Sequence, residues 1–135
     1  VTATPWGFTV PGQPLSWNEA YRIGVRYRPG SRGGQYRTII KTDEAVAYTD
    51  AVTMIAKTAK PSHWPNYDRL IVVELRLYLG RSVDADNTMK MIMDGLKAAL
   101  GVDDKWFLPR AMWTEWGLRP DQRRVEVQVS DFELS

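Results

Sequence analysis

The chain has 135 residues, 44% hydrophobic and 25% charged, the make-up of an ordinary soluble protein with one domain spanning residues 1–135 and a proper core. It has no cysteine and one histidine, His63, which excludes disulfides, thiolate zinc, a cysteine nucleophile and a histidine-rich metal site, so any metal is a hard, oxygen-bound ion. The net charge of +2 hides a gradient: residues 20–42 carry six basic residues and no acid, while the rest holds 12 basic against 16 acidic residues, a segregation expected of a chain that holds a polyanion with one segment.

Residues 1–5 are expected to be loose. Trp6-Gly7-Phe8-Thr9-Val10 alternates large apolar with small or polar residues and predicts a short strand ending at Pro11-Gly12. Residues 14–42 read as a long irregular region punctuated by Gly24, Pro29, Gly30, Gly33 and Gly34, with Tyr21, Tyr27 and Tyr36 set among arginines. A loop of that length inside a compact domain is functional or disordered. The bland reading is a solvated loop. The sharper one is an arm that grips phosphates through Arg22, Arg26, Arg28, Arg32, Arg37 and Lys41 and stacks tyrosines on bases or sugars.

Thr42, followed by Asp43 and Glu44, marks a helix start. Ala45, Val46, Thr49, Val52, Ile55, Ala56 and Ala59 carry that helix to Pro61, with small residues suited to close packing on a sheet. A turn follows over Ser62–Tyr67, where His63 reads as a surface residue. Leu70–Leu79 is the best strand pattern in the chain: Ile71, Val73, Leu75, Leu77 and Leu79 share one face. A second helix opens near Asp86 and closes at Gly101. Ala111–Leu118 predicts another strand, Arg119-Pro120-Asp121-Gln122 a turn, and Arg123–Phe132 a last strand that alternates through Val125, Val127 and Val129. These two strands are expected to pair as an antiparallel hairpin. The resulting class is α+β: a small, mostly antiparallel sheet with two main helices packed on one face. No run approaches the roughly 18–20 apolar residues of a membrane span and no signal-peptide pattern opens the chain, so a cytoplasmic protein without membrane contact is expected.

The chemistry concentrates in Asp84-Ala85-Asp86-Asn87-Thr88-Met89-Lys90, continued by Asp94 and by Asp103-Asp104. On a helix, Met89, Ile92, Met93, Leu96 and Leu100 form a buried stripe, and Asp86, Lys90, Asp94 and Lys97 fall on the other side. Close carboxylates repel unless a cation sits among them. Two or three Asp oxygens with water give the octahedral shell of Mg²⁺, with Mn²⁺ as a substitute, and with DNA as partner the implied reaction is metal-assisted phosphodiester hydrolysis. Lys90, one turn past Asp86, would offset charge on the phosphate or orient water. No organic cofactor is expected. Competing readings are weighed residue by residue. Asp86 or Asn87 as a simple cap explains one acid only. A calcium loop fails because Met89 and Gly95 stand where its turn Gly and closing Glu belong. Asp94 lies about 12 Å along the axis from Asp86 and reads better as an i, i+4 partner of Lys90. Spacing leaves the choice between Asp103 and Asp104 open.

The pattern Asp84-x-Asp86-Asn87-x-x-Lys90-x-x-x-Asp94-Gly95-Leu96 with a trailing Asp103-Asp104 resembles the RusA-type Holliday junction resolvases of phages and prophages. Pro14-x-Ser16-Trp17-Asn18-x-x-Tyr21-Arg22 and the order of elements resemble that family too. The resemblance implies a homodimeric, Mg²⁺-dependent endonuclease of four-way DNA junctions, working in the bacterial host cytoplasm if phage-encoded. It places catalytic and metal-binding carboxylates at Asp84, Asp86 and Asp104 and the essential amine at Lys90, with Asp103 and Asn87 in support. Thr114-Glu115 departs from the family, which often carries a basic residue there, so Arg110 or the 22–41 segment is expected to compensate. A two-fold dimer suits a two-fold junction, and Trp113 and Trp116, read as opposite faces of one strand, leave aromatic surface for it. The rival class is a non-catalytic DNA-binding protein whose acids hold a structural ion or cap a helix.

Overall fold

The computed structural model describes residues 5–15, 19, 21–27, 34–62, 64, 69–80 and 85–132, with the backbone alone described at 22, 25–27, 35, 36 and 85–87. The expectations for His63, Asp84, Arg28 and Arg32, and for the side chains of Arg22, Arg26, Asp86 and Asn87, lie outside the described residues.

The elements in order are β1 (Trp6–Pro11), β2 (Tyr21–Tyr27), β3 (Gln35–Lys41), α1 (Asp43–Ala59), β4 (Ile71–Tyr78), α2 (Ala85–Leu100), a 3₁₀ turn (Asp104–Trp106), β5 (Phe107–Glu115), a second 3₁₀ turn (Pro120–Gln122) and β6 (Arg124–Asp131). The α+β expectation holds. A four-stranded sheet has the order β1-β6-β4-β5, and β2 with β3 forms a separate two-stranded ribbon. β6 runs antiparallel to both its neighbours, β1 and β4, while β4 and β5 are parallel.

β4 takes a central place because it is the most apolar strand. Ile71, Val73, Leu75, Leu77 and Leu79 are all buried, and the register carries their layer sideways, Leu77 opposite Val125 and Val125 opposite Val10. Trp6 and Phe8 on β1 extend this layer, and Val52, Ala56, Ile92, Leu96 and Leu100 of the two helices cover it. Burying one leucine such as Leu96 contributes about 2 kcal/mol.

α1 starts as its sequence predicts, with Thr42 Oγ1 accepting from Ala45 N–H at 3.3 Å. Its small residues, however, make their close approach to α2 as well as to the sheet. A Cβ added to Gly95 would lie 2.5 Å from Val52 Cγ1, and Thr53 Oγ1 donates to the Gly95 carbonyl at 3.1 Å.

Two expectations are corrected. β5 and β6 do not form a hairpin. β5 begins at Phe107, earlier than its sequence suggested, and it pairs with β4 because α2 has carried the chain back to the Ile71 end, so that both strands run the same way. Residues beyond Glu115 then pass the far end of β4, where Leu118 N–H donates to the Leu79 carbonyl at 3.1 Å, and β6 enters on β4's other side. Trp116 therefore lies beyond the strand, not on the face opposite Trp113. The second correction concerns residues 21–41, where an antiparallel ribbon pairs Tyr21 with Lys41 through Tyr27 with Gln35. The alternation Tyr21, Ile23, Val25, Tyr27 carried that signal, but glycines and arginines diluted it. Burial did not reinforce it either: Ile23 and Ile39 face each other across the ribbon and remain 73% and 58% exposed.

Candidate active site

The buried stripe of α2 fixes what its other side presents. Thr88, Met91, Ile92, Leu96 and Leu100 are buried, so Lys90 and Lys97 turn outward to solvent and Asp94 is half-buried. Lys90 Nζ lies 4.0 Å from Asp94 Oδ1, with 48% of the lysine side chain exposed. That is a loose i, i+4 pair of small energetic weight, and it leaves the ammonium accessible to an anion. Asp94 thus behaves as the sequence suggested, as Lys90's neighbour on the helix.

Gly101 ends α2 with φ +66°, and its N–H donates to the Lys97 carbonyl at 2.9 Å. Gly suits that position because a Cβ would be strained there. Asp103 then caps the 3₁₀ turn, Oδ1 accepting from Lys105 N–H at 3.1 Å. That backbone bond, then contact with the Asp104 carboxyl, then the Lys105 and Lys97 charges hold the Asp103 carboxyl below its ordinary 3.8. A depressed carboxylate stabilises the fold above its unfolded pKa and loses that contribution as pH falls through the folded value. Replacing Asp103 with Asn is therefore expected to flatten the fall of melting temperature below about pH 4. A thermal-melt series from pH 7 to pH 2 on both proteins checks this; parallel curves would refute it. Asp104 stands exposed beside it.

The decisive geometry is the separation of the acids. Asp86 sits in the first turn of α2, and Leu100, at the other end, is about 21 Å along the axis at 1.5 Å per residue. The strands agree: Phe107, just past Asp103-Asp104, pairs with Ile71, whereas Tyr78, at the end that leads to the acidic motif, pairs with Glu115. Those two ends of β4 are about 23 Å apart at 3.3 Å per residue. One chain brings Asp103 and Asp104 together, with Lys97 and Lys105 beside them. It does not bring that pair to Asp86. Among the described residues, no group of three or more acidic or histidine side chains converges on a point that a metal ion would fill. The backbone thus sets Asp86 and the Asp103-Asp104 pair at opposite ends of α2, while Asp84 and the Asp86 side chain lie outside the described residues.

The basic segment is divided as well. The ribbon register sets Arg22 opposite Ile40 and Arg26 opposite Tyr36, but Arg37 opposite Val25 and Lys41 opposite Tyr21. With a period of two, the positions of the first pair and those of the second lie on opposite faces. Arg37 is exposed. Lys41 is engaged elsewhere, its Nζ donating to Thr49 Oγ1 at 2.7 Å, so it ties the base of the ribbon to α1. Arg110 is exposed on β5.

Sequence reasoning gave no site role to four residues beside these groups. Lys97 and Lys105 flank the Asp103-Asp104 pair, and their spacing from it was a signal that could have been read. Gln13 and Arg123 meet Gly80, the last described residue before the acidic motif. No local signal marks them, since Gln13 is 67 residues from Gly80.

Comparison with known families gives the class of this protein, an endodeoxyribonuclease. The profile that matches is described as Endodeoxyribonuclease RusA and covers residues 21–130; the chain belongs to that family. No curated protein matched it. No described helix is long and apolar enough to cross a membrane.

Proposed function

We propose that this chain resolves branched DNA, four-way junctions above all, by hydrolysing phosphodiester bonds as a Mg²⁺-dependent homodimer. The observation that carries the reading is the placing of acids at both ends of one exposed, lysine-bearing helix in a member of an endodeoxyribonuclease family. A two-fold partner running the opposite way would set Asp84 and Asp86 of one copy against Asp103 and Asp104 of the partner subunit. It would build two pockets from two incomplete halves. The donors suit a hard divalent ion, although Asp86 and Asp104 of one chain stand at opposite ends of α2. Such an ion supplies an activated water when bound. Lys90 is the group on this chain that meets the phosphate, its ammonium outward and only loosely held by Asp94. Two pockets match paired cuts in strands of like polarity, which resolution of a four-way junction requires.

The test is nicking of synthetic four-way, three-way and linear DNA with Mg²⁺ and with EDTA. Nicking of the four-way substrate is expected to be fastest and to stop with EDTA. Equal cutting of linear duplex would overturn the junction preference, and cutting in EDTA would overturn the metal requirement.

A further inference from the structure

We propose that Arg123 and Gln13 are positioning residues for the catalytic centre, acting as a brace that fixes the chain where it leaves β4 for the acidic motif. The inference rests on the nuclease reading above, and it is carried by what converges on Leu79 and Gly80. Leu79 N–H donates to the Glu115 carbonyl at 2.8 Å, and Leu79's own carbonyl accepts from Leu118 N–H at 3.1 Å. Gly80 N–H donates to Gln13 Oε1 at 2.7 Å. Arg123 Nε donates to the Leu118 carbonyl at 3.0 Å, while the Arg123 carbonyl accepts from Gly12 N–H at 2.8 Å. Two stretches of chain, residues 12–13 and 115–123, are thereby tied to the last two described residues before the acidic segment.

The guanidinium rests directly on Gly80. A Cβ built there would fall 2.2 Å from both Cζ and Nε of Arg123, so any side chain at this position has to push the end of Arg123 aside. Gln13, Glu19, Gly80 and Arg123 line a cavity of about 370 Å³ that opens beside the joint, with Pro14 and Leu15 as its apolar wall. The brace therefore lines an open cavity, with solvent on its outer side. A carboxylate displaced by an ångström loses much of its effect on a reacting phosphate, and one covalent path leads from this joint to Asp84.

Lysine at 123 keeps the charge but loses the planar fork that donates to Leu118 while lying on Gly80. Alanine at 80 pushes only the flexible end of Arg123 aside, so it perturbs the brace with little harm to the fold. The experiment compares wild type, Gln13→Ala, Gly80→Ala and Arg123→Lys in three measurements: hydrogen exchange at the Gly80 amide and over residues 81–90, kcat on a four-way junction, and junction affinity across salt concentrations. Expected are roughly tenfold faster exchange and a fall of about tenfold or more in kcat. Junction affinity and its salt slope are expected to stay at wild-type values. Unchanged exchange in all three variants overturns the brace, whatever the nuclease assay shows. Weaker binding with a salt slope smaller by about one in Arg123→Lys, at unchanged kcat, overturns it in favour of a phosphate contact. Faster exchange in a wild-type background that cuts no junction would keep the brace and reject the substrate.

Discussion

Two inactive variants mixed together are expected to recover activity. Asp86→Asn and Asp104→Asn should each lower junction nicking by about two to three orders of magnitude, the usual cost of removing one group aimed at the reacting phosphate. Junction binding should persist, because it rests on arginines and lysines. If each pocket draws Asp86 from one copy and Asp104 from the other, a mixed dimer has one pocket with both defects and one with none. Co-refolding equal amounts should then restore about a quarter of wild-type nicking, from half the dimers with one intact pocket each. A pocket built within one chain gives no recovery, since every pocket then carries one defect. The same experiment with Asp103→Asn in place of Asp104→Asn decides which of the adjacent carboxylates belongs to the site. Asp103 already serves the backbone of its turn, so its replacement should also register in the acid melting profile.

The second large effect lies where the helices meet. Gly95→Leu is expected to destabilise the protein by about 3 kcal/mol, lowering the melting temperature by about 10 °C. A side chain there would meet Val52 Cγ1 at 2.5 Å, Val52 Cβ at 2.6 Å and the Thr49 carbonyl at 3.1 Å, so neither helix can yield by moving one flexible tip. Gly95→Ala should show a smaller loss in the same direction, and paired with Val52→Ala it should recover part of that loss, since the second change removes the colliding methyls. A melting curve unchanged in Gly95→Leu would mean that the helices are not in contact at this point. The prediction matters for function because α2 is the element that holds Lys90 outward and separates the two acidic groups.

The elements that were legible in the sequence are those with a strong local period. β4 was evident because five alternate apolar residues fill one face, and α1 because Thr42, Asp43 and Glu44 mark its start. The rotation of α2 was legible too, since Met89, Ile92, Leu96 and Leu100 can share only one side. The ribbon was missed because Ile23 and Ile39 alternate correctly but are not buried, and a pattern read as burial has no meaning for a strand pair that stands in solvent. The β5–β6 hairpin was expected because nearness in sequence favours local pairing. The structure instead gives β4 to both strands, as the central strand that buries most apolar surface needs a neighbour on each edge.

By itself, then, the sequence determined the class of fold and the exclusion of thiolate and histidine-rich sites. Those are consequences of composition and of periods three, four and two, which any local stretch of chain carries. Tertiary structure alone decided that Phe107 returns to the Ile71 end of β4, that Lys41 is tied to Thr49, and that Gln13 and Arg123 meet at Gly80. Each depends on where a long crossover lands, and that is settled by competition for the apolar face of β4 among segments tens of residues apart.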